Sequence, residues 1–391
     1  MYHRILTPLA LLLLAAGALA QTTAEQVYYR FILPTGTSIR NFAPAGPATG
    51  TLRSTYPTTG SYTRAPGCTA PYALYGSHLD PATKQVNSAY HNYVDTGWTP
   101  SFSGSFTVAW FEKERCPNTT NGLAYLISGV GSFRIFHGGV ANNGLYLRDW
   151  GGSPSDLVLV DPAQTGTGPK FDLLDLARQR WVHVAIVVDA KVMKATWYID
   201  GRPLSPAITL TAGASVTGTS SLKVGQHLST GSSFRHDLDE FRFYTRAATP
   251  AEVLAWASVR PGESWSYIDG CKGSLSAVSG PSLGQPYMMD VGGAAGAVGI
   301  VSVGFSRTRL GTLPLPFDLG LAVPSLKGCL FASSLHIILP ASLDATGKGK
   351  AVIPVPNDPI YSNLPIYCQG VLATPAMQFA STNGLGGIIG L

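Results

Sequence analysis

Residues 181–201 read Trp-Val-His-Val-Ala-Ile-Val-Val-Asp-Ala-Lys-Val-Met-Lys-Ala-Thr-Trp-Tyr-Ile-Asp-Gly. Trp181 to Asp189 is dense in β-branched and apolar residues and reads as a half-buried strand, with Ala195 to Ile199 as a second. Asp200-Gly201 then supplies a hairpin turn, because Gly tolerates positive φ and Asp hydrogen-bonds its own backbone. Strands of this kind recur in both directions. Ser105 to Phe111 lies upstream, and Leu222 to Gly225 and Leu238 to Tyr244 lie downstream. Many short strands separated by turns point to an antiparallel sandwich. The one convincing helix follows, at Pro250 to Val259. Thr249 can cap it, Pro250 suits the first helical position, Glu252 completes a capping box, and Pro261-Gly262 stops it.

Composition agrees with an all-β chain. Charged residues are 13% of the 391, about half the usual 25%, while 44 Gly and 28 Pro supply turns. A coiled coil, a long-helix protein and a charged disordered chain are excluded. The net charge of +5 comes without a basic stripe, which excludes nucleic-acid binding.

The first 20 residues have the form of a cleaved signal peptide. Met1 to Arg4 is a short basic start, Ile5 to Leu19 is mostly apolar, and Ala18-Leu19-Ala20 is a small-x-small cleavage site. The apolar run is shorter than the roughly 20 residues a spanning helix needs. The expected location is therefore secreted or cell-surface, with no transmembrane segment after cleavage. In an oxidising compartment the five cysteines are read as structural, one of them left over. The expected pairs are Cys68–Cys116 and Cys271–Cys329, because each falls within one compositional segment. The segments differ: from Cys271 to Leu391 there are six Lys/Arg, four Asp and no Glu. The division expected is 26–258 and 271–391.

A set of motifs occurs in order along the first segment. They are Tyr28-Tyr-Arg-Phe31, Tyr93-Val-Asp-Thr-Gly97, Ser105-Phe-Thr-Val-Ala-Trp110, Trp181-Val-His-Val-Ala185, Tyr198-Ile-Asp-Gly201, Leu222-Lys-Val-Gly225, Leu238-Asp-Glu-Phe-Arg-Phe-Tyr244 and Arg246 to Val253. Together they resemble the laminin-G-like jelly-roll domain of the concanavalin A-like lectin/glucanase superfamily. The resemblance implies two packed antiparallel sheets, binding of an extracellular glycan or protein, and often a structural calcium ion. Calcium would use Asp239 and Asn41, the polar residue after the first strand. The remaining third, with Gly270-Cys271, Pro281-Ser-Leu-Gly284, Leu313 to Leu319, Gly328-Cys-Leu330 and Ile353 to Pro359, is similar to a small all-β module that ends various secreted bacterial proteins. A second, smaller β-sandwich is expected there.

Catalytic readings are weak. Gly280-Pro-Ser282-Leu-Gly284 matches a nucleophile elbow, but the following Gln285-Pro286 argues for a turn before a strand rather than the required helix. In His236-Asp-Leu-Asp-Glu240, Asp237 and Asp239 share a strand face. The glucanase branch of the resembling superfamily uses E-x-D-x-x-E; here Asp237 replaces the first acid and Arg242 the last, so the carboxylate pair is incomplete. No His or Cys spacing matches a metal motif. Ligand binding is placed at Trp150, flanked by Arg148 and Asp149 and by Gly and Pro at a strand end, where a sugar could stack on the ring. Tyr90, Tyr93 and Trp98 form a second aromatic stretch. The reading is a secreted, non-catalytic binding protein. A structural envelope component is the runner-up, and a divergent glycoside hydrolase is third.

Overall fold

The computed structural model describes residues 25–31, 36–54, 73–74, 92–114, 123–129, 133–138, 144–159, 180–204, 207–227, 234, 236–259 and 262–390. The expected signal peptide, Cys68, Tyr90 and Cys116 lie outside the described residues. Seventeen described strands precede residue 245. They are β1 (Glu25–Tyr29), β2 (Ser38–Arg40), β3 (Thr49–Ser54), β4 (Asn92–Asp95), β5 (Ser101–Gly104), β6 (Phe106–Glu114), β7 (Ala124–Ser128), β8 (Arg134–His137), β9 (Leu145–Arg148), β10 (Asp156–Val158), β11 (Val182–Asp189), β12 (Lys194–Ile199), β13 (Arg202–Pro203), β14 (Ile208–Thr209), β15 (Ala214–Thr217), β16 (Lys223–Val224) and β17 (His236–Tyr244).

All pair antiparallel, in two large sheets and one ribbon. The first sheet runs β1-β17-β6-β11-β12-β13, with β14 on β12; the second runs β10-β9-β8-β7-β16-β4-β3-β2. These form the jelly-roll sandwich. Strands β11 and β12 are the pair read from residues 181–199, in register from Val184 opposite Ile199 to Asp189 opposite Lys194. The Asp200-Gly201 turn follows with φ of 50° and 77°, the left-handed backbone that this pair of residues tolerates. α1 (Pro250–Ala257) has both halves of its capping box. Its Val253 packs with Ala109, Ala185, Val187 and Tyr198 on the outer face of the first sheet. Strands β6, β11 and β17 are therefore buried on both faces, which is why the runs that encode them do not alternate cleanly.

Residues 263–388 build a separate pair of sheets. One has six strands, including Glu263–Ile268, Val298–Gly304, Pro365–Ala373 and Gly384–Ile388; the other has Ser274–Ala277, Pro286–Gly292 and Lys348–Pro354. They enclose Leu275, Tyr287, Met289, Val301, Val303 and Ile366, giving the smaller β-sandwich. Cys271 and Cys329 are disulfide-bonded with a Cα separation of 5.7 Å, and Cys368 is free and buried. Ser282 sits in a turn before the Pro286–Gly292 strand, so the nucleophile-elbow geometry is absent there. No helix among the described residues is long and apolar enough to cross a membrane.

Candidate functional site

The eight-stranded sheet sets its side chains in rows. Leu157, Leu147, Ile135, Ile127, Val224, Val94 and Leu52 are consecutive cross-strand partners, and all are buried in the core. Alternation along each strand turns the neighbouring residues to the opposite, outer face. One outer row is polar, with Asp156, Arg148, Arg134, Ser128, Lys223, Asp95 and Thr51 as consecutive partners. The other is aromatic, with Tyr146, Phe136 and Tyr125 paired in turn and Tyr93 beside Arg53.

The two rows interlock. Tyr146 and Phe136 stack with centroids 5.3 Å apart and planes 9° apart. Arg134 and Arg148 place their guanidinium carbons 5.6 and 5.4 Å from the Phe136 centroid, and Lys223 lies 5.1 Å from that of Tyr93. Cation–π attraction of this kind is worth about 0.5–1 kcal/mol at exposed positions. Arg148 donates Nε and Nη2 to the two oxygens of Asp156 at 2.8 and 2.6 Å, so its fork is fixed beside the rings. Its side chain stays 36% exposed. Burial, with the charges of Arg134 and Lys223, pushes His227 below its usual pKa.

The expected ligand site centred on Trp150 needs correction. Trp150 is 0% exposed, 6.2 Å from the core ring Phe106, with Nε1 donating to the Pro154 carbonyl at 3.1 Å. The glycines beside it make room for a buried ring: a Cβ at Gly152 would stand 2.1 Å from the indole. Arg148 and Asp149 point elsewhere, Arg148 to the outer face and Asp149 to Arg134 at 3.2 Å. Trp98 also packs inward, 4.9 Å from Phe243.

The calcium pair does not fit its ion. Asn41 Oδ1 accepts the Tyr28 N–H at 2.7 Å and the Ala43 N–H at 3.1 Å, which occupies both lone pairs of the carbonyl. Nδ2 donates to the Gln26 and Pro47 carbonyls at 3.0 and 2.8 Å. Asn41 is a hydrogen-bond hub of the β1 border, not an open ligand. Asp239 turns Oδ1 onto the Glu240 N–H at 2.8 Å, at the bulge of β17 where Glu240 has φ of 50°. Arg242 stacks on the Tyr28 ring at 3.6 Å, and Glu240 is held by Tyr28, Arg30 and Arg242.

Pattern reading missed one convergence. Glu112, His137 and His236 meet inside the sandwich, brought from β6, β8 and β17. Burial acts to raise the Glu112 pKa, but the adjoining His137 and His236 outweigh it and hold the carboxyl well below the usual range.

Residues 88–254 match the family model of the concanavalin A-like lectin/glucanases superfamily. No curated protein matches the chain. Among solved structures, domain 4 of AbnA, a GH43 extracellular arabinanase from Geobacillus stearothermophilus solved with arabinotriose, is similar at 18% identity and a TM-score of 0.39, over 60% of this chain and 98% of that one. The binding domain of botulinum neurotoxin DC, solved with SialylT, is similar at 9% identity and a TM-score of 0.44, over 93% and 94%. The binding domain of Paraclostridial mosquitocidal protein 1 is similar at 11% identity and a TM-score of 0.43, over 93% and 91%.

Proposed function

We propose that this chain, which carries a concanavalin A-like lectin/glucanase domain over residues 88–254, is a secreted, non-catalytic protein that binds an extracellular glycan on the outer face of its eight-stranded sheet. The observation that carries this reading is the pairing of an aromatic row with a row of planar charged pairs across neighbouring strands. Sugar rings offer apolar C–H faces to stack on aromatics and hydroxyls that both donate and accept. Tyr146 and Tyr93 supply half-buried rings. The Arg148–Asp156 and Arg134–Asp149 pairs put donors and acceptors side by side within the same face.

The non-catalytic part of the reading rests on β17. Arg242 stands where the last acid of the glucanase pattern would be, and the carboxylates beside it are engaged in the bulge and in ion pairs. A general acid and a second carboxylate facing a shared cleft, as glycoside hydrolysis needs, have no counterpart among those residues.

The test is binding of the mature chain to immobilised neutral and acidic glycans, followed by titration of the best one. Tyr146→Ala and Arg148→Ala should each weaken binding at least tenfold while the protein stays folded, with a melting temperature lowered by no more than a few degrees. Binding unaffected by both changes, or release of reducing sugar from the bound glycan, would reject the reading.

A further inference from the structure

We propose that Glu112, His137 and His236 form a site for a divalent transition-metal ion of the zinc type, which cross-links the two sheets through the core. Glu112 and His236 project from β6 and β17 of one sheet, and His137 from β8 of the other. The three are 0%, 1% and 2% exposed. One ligand atom from each lies within 4.8 Å of the other two.

His137 Nε2 hydrogen-bonds Glu112 Oε2 at 3.3 Å, but the contacts to Oε1 have the spacing of ligands. His137 Nε2 and His236 Nδ1 stand 3.2 and 3.3 Å from Glu112 Oε1, yet that oxygen and His236 Nδ1 make no hydrogen bond. Donor atoms about 2.0–2.1 Å from a tetrahedral ion lie about 3.3 Å from each other. Two of the three separations meet that value, and the third, within 4.8 Å, closes with an inward turn of one imidazole by about 1.5 Å.

The surroundings also suit a metal. Trp110 Nε1 donates to Glu112 Oε2 at 2.7 Å, fixing the carboxylate with Oε1 within 3.3 Å of both imidazoles, as the outer partners of metal ligands do. The imidazoles stack at 4.8 Å, and Phe234 packs on both. A carboxylate at zero exposure needs a counter-charge, and a divalent ion bound between Glu112 and the two imidazoles supplies it. Two nitrogens and one carboxylate match the zinc preference with a fourth position open. They do not match calcium, which takes six to eight oxygens.

The full mature chain, stripped of metal, should bind one equivalent of zinc in competition with a chromophoric chelator. Cobalt should give the visible bands of a four- or five-coordinate site. At a hundredfold excess over Kd the apparent unfolding constant should fall about a hundredfold. Glu112→Gln and His137→Gln should lose that equivalent, while His227→Gln, outside the core, keeps it. Because core variants can fail to fold, X-ray absorption of the zinc-loaded wild type provides the second measurement, with two imidazoles and a carboxylate expected around the ion. Failure of the wild type to bind, retention of the equivalent by both variants, or a first shell lacking two imidazoles would overturn the proposal.

Discussion

Replacing Asn41 by Asp separates two roles for this residue by the sign of the effect. In the wild type, Oδ1 satisfies two buried backbone N–H groups and Nδ2 satisfies two carbonyls. Asn41→Asp keeps an acceptor for Tyr28 and Ala43 but turns an anionic oxygen onto the Gln26 and Pro47 carbonyls. Two donors are lost and a repulsion is added, so the change should cost about 2–4 kcal/mol at about 1–3 kcal/mol per unsatisfied group. Asn41→Ala removes all four bonds and should cost about 2–5 kcal/mol, since the two carbonyls are only partly buried and water can reach them. Both losses should be the same in millimolar calcium and in calcium-free buffer. If Asn41 were instead a calcium ligand, the added carboxylate would strengthen the site and raise stability in calcium. Urea unfolding followed by tryptophan fluorescence, with midpoint and slope compared in the two buffers, reads the difference. An Asn41→Asp protein more stable than wild type in calcium would refute the hydrogen-bond account.

Three further outcomes follow from the packing. Trp150→Ala should destabilise by about 3–5 kcal/mol, the usual cost of emptying a core tryptophan position, while glycan binding per folded molecule is unchanged; a stable variant that has lost binding would return Trp150 to the surface. Opening the Cys271–Cys329 bridge, which spans 58 residues, by Cys329→Ser should cost about 4 kcal/mol on the chain-entropy estimate, and an unchanged denaturation midpoint would argue that the bridge does not form. Burial acts to raise the pKa of Glu252, but its bonds to Arg246 and the Thr249 cap outweigh this and lower it from the ordinary 4.5. Its stabilisation is therefore present above that ordinary value and lost as pH falls through the lower folded one. Glu252→Gln should melt earlier than wild type by about 1 kcal/mol at neutral pH and together with it in acid; a gap that persists in acid would mean the cap owes nothing to charge.

The strands, the Asp200-Gly201 turn and the capped helix were legible because each is a local pattern, readable from side-chain period and turn chemistry. Trp150 misled for a local reason too. Glycine and proline beside an aromatic suggest an exposed strand end, but here Gly152 clears the volume the indole fills from within. The aromatic row was half-visible, since Tyr93 had been singled out, whereas Tyr146, Phe136 and Tyr125 become neighbours only through the pairing of β9, β8 and β7. The Glu112, His137 and His236 meeting could not be read from spacing. Its members come from three strands of two sheets, with no spacing motif, and only the facing of the sheets brings them within reach. One cue was present: Glu112 follows Phe106, Val108 and Trp110 on one face of β6, where a buried acid demands a partner.

Each strand of the eight-stranded sheet interleaves two independent messages. Alternate positions answer to different physical demands, because Leu147 and Ile135 hold the packing while Tyr146, Arg148 and Arg134, one residue away, lie on the outer face. Substitutions can therefore accumulate on the outer rows, one strand at a time, without disturbing the scaffold beneath. A designer could graft a new chemical target onto such a surface by rewriting alternate letters. The limit is register: a one-residue slip in any strand exchanges the two messages and ruins both at once.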